Sequence, residues 1–116
     1  MTKIDQSKID ELRELNRMSG EDILSELIIL FKRDTLLLLK EMQASVDAND
    51  LTRVSELAHK IKISCAHLGV TDGSKLCLDL ETVGKDKNLE YNFHETVASL
   101  NVVVDEAIVE LEKIAA

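Results

Sequence analysis

The sequence has no proline and only four glycines in 116 residues, so little in it obliges a helix to stop, and no strand pattern competes. Cysteine is equally scarce. Cys65 and Cys77 are too far apart for a C-x-x-C motif, and no signal peptide precedes them, which excludes a disulfide framework and suggests reduced thiols in a cytoplasmic protein. Basic residues are outnumbered 14 to 22, for a net charge of -8, and no basic cluster interleaved with aromatics interrupts that balance. Nucleic acid binding is therefore not expected, because phosphate contacts need a basic face. The most apolar region, "ILSELIILFKRDTLLLL", is cut by Lys32, Arg33 and Asp34, and the start "MTKIDQSKIDE" is polar. Neither a membrane span nor a targeting signal is expected. A Gly-rich phosphate loop is missing too, so self-phosphorylation from ATP is not expected.

What the chain does have is apolar residues spaced three and four apart almost throughout, the mark of an all-α protein. A short helix is expected from about Asp5 to Met18. Ser19, in a Ser-x-x-Asp arrangement with Asp22, is expected to cap a helix running to about Asp47, some 40 Å long, with Ile23, Leu27, Leu30, Phe31, Leu38 and Met42 inward. Asn49 or Asp50 then caps a third helix that Gly69 ends. Thr71 or Asp72 starts a fourth, which Gly84 ends. After "KDKN" a last helix, from about Leu89 to Ile114, carries Phe93, Val97, Leu100, Val104, Ala107, Ile108 and Leu111 at core spacing. Short links between such helices predict an up-and-down antiparallel four-helix bundle with the short N-terminal helix lying across it, all in one domain spanning 1–116.

The third helix raises the question of function. Its apolar residues Leu51, Val54, Leu57, Ala58, Ile61, Cys65 and Leu68 form one stripe, and at roughly 100° per residue His59 falls about 150° from its centre. His59 should face solvent. Thr52, Ser55, Glu56, Ile63 and Ala66 share that outer face, with Lys62 at its edge, and most of these side chains are short, leaving the imidazole open to an approaching protein. A neutral imidazole is a nucleophile near pH 7 and its nitrogen can take up a phosphoryl group and hand it on. Lys62, three residues on, could bring an ammonium toward the phosphoryl oxygens. Periodicity alone leaves both readings open: His59 as nucleophile with Lys62 as helper, or two ordinary surface residues.

"AHKIKISCAHLGV" resembles the signature of histidine-containing phosphotransfer (HPt) domains, through Ala58, His59, Ile61, Lys62, Ser64, Leu68 and Gly69. "LRELNRMSGEDILSELIILF" before it and "LCLDLE" after it look like the helices that flank the signature in that family. The resemblance implies a phosphorelay intermediate. His59 would accept a phosphoryl group from a receiver aspartate on a hybrid sensor kinase and pass it to the receiver aspartate of a response regulator. It also implies that Lys62 stabilises the phosphorylated state. Glu81 stands where the family often places Gln or Glu near the imidazole; it either orients the ring or is a solvated carboxylate beside Leu80. No cofactor is expected on this chain. Mg2+ would sit on the receiver, since the outer face offers only Glu56 as a nearby acid. One position departs from the pattern: Ile63 stands where the family usually has glycine, and its side chain should lean back over His59.

Two other functions fit parts of the sequence. One is a binding module that docks receivers without carrying phosphate, for which Ile63 is the best support. A metal site from Cys65, His67, Cys77 or His94 is the other, although both cysteines fall among core residues and His67 suits the dipole at its helix end. The apolar width of "LNVVVDEAIVELEKI" fits a dimer seam or a buried helix; the second suits a bundle, and a monomer is expected. The initiating Met and an end just past the last helix lead us to expect a stand-alone protein.

Overall fold

The computed structural model describes residues 2–115 as five helices: α1 Gln6–Ser19, α2 Ile23–Asp47, α3 Leu51–His67, α4 Thr71–Lys85 and α5 Phe93–Ala115. Helices α2 to α5 form the bundle. Each packs on the next and α5 closes back onto α2, while α1 packs on α2. The all-α class and the bundle with an extra N-terminal helix are as the periodicity predicts.

Short polar side chains set most of the helix starts. Asp5 accepts from Ser7 N at 3.0 Å, Asp22 from Ser25 N at 3.0 Å and Asp50 from Arg53 N at 3.2 Å. Each bond satisfies a backbone donor that the first helical turn leaves unpaired, typically worth about 1 kcal/mol. Ser19 does not have the capping role expected of it. Gly20 adopts φ +77° and its N–H donates to Asn16 O, ending α1 one residue too late for Ser19 to start α2. The last helix also starts later than Leu89. Asn92 Oδ1 accepts from Glu95 N, and Asn92 Nδ2 donates to the Glu95 carboxylate, both at 3.1 Å, a reciprocal box that starts α5 at Phe93.

The inward stripe of α5 is the predicted one: Phe93, Val97, Leu100, Val104, Ala107, Ile108 and Leu111 are all buried. On α2 only Phe31 and Met42 of the predicted set are fully buried. Leu24, Ile28, Thr35, Leu39 and Val46 join them, and Ile23, Leu27, Leu30 and Leu38 lie half-buried at the flanks. The reason is that α2 is apolar on nearly every side, so the pattern does not single out a stripe.

The α3–α4 corner is held from outside by the N-terminal segment. Asp5 N donates to Gly69 O at 2.8 Å, and Gly69 takes φ +73°, where a Cβ would stand 2.9 Å from Asp5. Gly84, expected to end α4, lies inside it, and α4 continues to Lys85. Its role is close approach: a Cβ there would meet Leu51 O at 2.9 Å and Ser55 Cβ at 3.0 Å. That contact brings α4 near enough to α3 for their side chains to form one site.

Candidate phosphotransfer site

His59 projects from the middle of α3 with 53% of its side chain exposed, as the helical periodicity requires. Glu81 comes from α4, one turn before Gly84, and is 91% covered by the protein, since only 9% of its side chain is exposed. Its carboxylate is shared. Oε2 lies 2.9 Å from His59 Nδ1, and Oε1 accepts from Lys62 Nζ at 2.5 Å. Lys85, one turn beyond Glu81, brings its ammonium to 3.6 Å from Oε2. The backbone beneath is fixed as well: Ser55 Oγ donates to the Glu81 carbonyl at 2.9 Å.

The electrostatics follow from this arrangement. The bond from Lys62 holds the Glu81 carboxyl below the usual carboxylate range; burial opposes that shift and the bond to His59 assists it. Glu81 is therefore a carboxylate at neutral pH and can only accept. His59 Nδ1 must carry the proton between them, and in the neutral ring the lone pair is then on Nε2, on the far side of the ring from Glu81. A nucleophilic nitrogen, an anion fixing its tautomer and two ammonium groups within one turn are what a ring needs to receive a phosphoryl group.

Most of the residues expected on the outer face are there. Thr52, Glu56 and Ala66 are exposed, Lys62 is half-buried at the edge, and Ile63 is 43% exposed. Ser55 is not. It is 4% exposed and turned toward α4, because it sits at the edge of the stripe where α4 comes closest. Ile63 and His59 thus both present about half their surface on this face. Of the two readings of Glu81, the structure has the carboxylate on the imidazole and not in solvent. Lys85 was missed; its i+4 spacing from Glu81 was the available signal. Cys65 and Cys77 are buried, and burial pushes the Cys65 thiol up to about 12 and the Cys77 thiol further in the same direction. Among the described residues no three His, Cys, Asp or Glu side chains gather as a metal site, and no helix is long and apolar enough to cross a membrane.

Comparison with known proteins places this site in a family. A family model described as "Hpt domain" matches residues 26–113, most of the chain and the whole of the site. The chain belongs to the Hpt domain family. Sensor protein TorS of Escherichia coli strain K12 is 33% identical to it over 73 residues, which are 63% of this chain and 8% of that relative. The chain thus spans a small fraction of the curated relative's length. The crystal structure of histidine-containing phosphotransfer protein B (HptB) from Pseudomonas aeruginosa PAO1 superimposes with a TM-score of 0.82 over 95% of this chain and 91% of that one. At 16% identity that likeness establishes a shared fold. As an Hpt domain the chain has a phosphotransfer role in two-component signalling, a system in which Hpt domains work with the receiver domains of sensor kinases and response regulators.

Proposed function

We propose that His59 is the phosphoryl acceptor of a phosphorelay, taking the group from a receiver aspartate and returning it to the aspartate of a second receiver. The observation that carries this reading is the 2.9 Å contact between His59 Nδ1 and the Glu81 carboxylate on a ring otherwise open to solvent. In the forward step the Nε2 lone pair attacks phosphorus, the P–O bond to the receiver aspartate breaks, and that aspartate leaves as a carboxylate. No proton has to move. The ring becomes cationic while it keeps its Nδ1 proton, and Glu81 compensates that charge through the bond already in place. Lys62 and Lys85 supply positive potential near the arriving oxygens. Return transfer is the same step reversed onto another aspartate, with Mg2+ held by the receiver.

The partners in this reading are the receiver domains of a hybrid sensor kinase and of a response regulator, which would place the protein in the cytoplasm. Thr52, Glu56, Ile63 and Ala66 form the surface around the ring that a receiver covers. Residues 1–116 act as one phosphotransfer unit, since α1 and the segment before it brace the corner that ends α3. Incubation with a receiver phosphorylated on its aspartate tests this. The chain is expected to acquire acid-labile, alkali-stable label, and His59→Gln to acquire none. Undiminished label on His59→Gln moves the chemistry elsewhere, and an unlabelled native chain that still binds the receiver favours a docking module.

A further inference from the structure

Two ammonium groups share the Glu81 carboxylate, and they are held very differently. Lys62 Nζ donates to Oε1 at 2.5 Å, and its side chain is 27% exposed. Moving it away would leave a buried carboxylate short of a donor, which is costly where water cannot take its place. Lys85 Nζ lies 3.6 Å from Oε2, outside hydrogen-bonding distance, and its side chain is 69% exposed. A loose pair with so exposed an ammonium is weak, and all three of its donors stay free for another partner.

The open space beside the ring separates the two lysines in the same way. A cleft opens next to His59 and Glu81, and Lys85, Lys60 and Glu56 border it, whereas Lys62 does not. Glu56 is paired with Arg53 at 3.4 Å, and Glu81 is held by Lys62, so both acids of the cleft are already compensated. The two remaining cations make the cleft attractive to an anion. Lys60 directly follows His59, and neighbours on a helix point about 100° apart. Lys85 instead comes from α4, across the cleft, where it is the last helical residue.

We propose that the two lysines divide the work of the phosphotransfer described above, on which this inference rests: Lys85 touches the phosphoryl oxygens, and Lys62 is a positioning residue that holds Glu81. As Nε2 bonds to phosphorus and the P–O bond to the receiver aspartate breaks, the Lys85 ammonium swings out of its loose pair. It then donates hydrogen bonds to the phosphoryl oxygens. Its flexible four-carbon stem allows the movement. No proton leaves Lys85, and the aspartate still departs as a carboxylate. Lys62 stays on Oε1, so Glu81 keeps its place against the Nδ1 proton. The direct contact expected of Lys62 from the sequence thus passes to Lys85.

Two readouts test this on the full chain: the rate of label transfer from a phosphorylated receiver, and the nitrogen-15 spectrum of the His59 ring before any phosphate is added. Lys85→Gln should slow transfer roughly tenfold, the scale of one hydrogen bond to a charged group, and leave the ring spectrum as in the native chain. Lys85→Arg, which keeps the charge and the donors, should restore most of the rate. Lys62→Met should mix the two ring tautomers in the unphosphorylated chain. Lys85→Gln that transfers as fast as a labelled native chain overturns this assignment and leaves the phosphorelay standing. Lys85→Gln that mixes the tautomers overturns it too, because Lys85 then acts through Glu81. So does Lys62→Met with a native ring spectrum. A native chain that takes no label overturns the phosphorelay reading and this inference with it.

Discussion

Gly84→Ala tests the close approach of α4 to α3. At an open position inside a helix the change would stabilise the protein, since alanine exceeds glycine in helix propensity by about 1 kcal/mol. In this bundle the new methyl lands 2.9 Å from Leu51 O and 3.0 Å from Ser55 Cβ, where ordinary contact begins at 3.4 Å. Neither neighbour is the end of a flexible side chain, so α4 must retreat by about half an ångström. Overpacking of this kind costs about 1–3 kcal/mol, which leaves a net loss of about 1 kcal/mol, or roughly 4 °C in melting temperature for a domain of this size. The functional loss should be larger. Glu81 lies one turn from Gly84 and moves with it, stretching the bond to His59, and a misplacement of half an ångström can cost about tenfold in rate. Urea denaturation and the rate of label transfer from a phosphorylated receiver measure the two effects. A variant as stable as the native chain and equally fast would refute the close approach at Gly84.

Three further outcomes are expected. Glu81 is stabilised as a carboxylate in the folded state, so its contribution is fully present above its unfolded value near 4.5 and is lost as pH falls through the lowered folded value; urea titrations between pH 3 and 6 should show a shallower acid slope for Glu81→Gln, and parallel slopes would contradict the shift. The buried thiols of Cys65 and Cys77 should resist a thiol reagent at pH 8 in the native chain and react fully in urea, so fast native labelling would place them outside the core. Ile63→Gly should speed transfer from non-cognate receivers while costing about 1 kcal/mol of stability for a glycine inside a helix; an unchanged rate would mean that Ile63 does not restrict access.

The legible features of this protein in its sequence were those carried by one helix at a time. The α5 stripe and the outward direction of His59 follow from spacing, and Asp50 and Gly69 mark the ends of α3 as predicted. Features that depend on two helices were hidden. Nothing along the chain shows that Glu81, 22 residues from His59, turns inward onto it; the family resemblance pointed to Glu81 but left solvent as an equal alternative. Ser55 looked exposed because the stripe it borders widens only where α4 presses close, and Gly84 looked like a terminator because packing leaves no mark distinct from ending. The α2 register was obscured by the helix's own composition, for apolar residues on every side define no face.

The central claim is that phosphate arrives at Nε2 of His59 while Nδ1 keeps its proton against Glu81. Nitrogen-15 and phosphorus-31 NMR of the labelled chain, after incubation with a phosphorylated receiver, observes both nitrogens directly. The expected spectrum shows phosphorus coupled to Nε2 of His59 and a protonated Nδ1. Phosphorus coupled to Nδ1, or no phosphorus on this ring, would contradict the site as described.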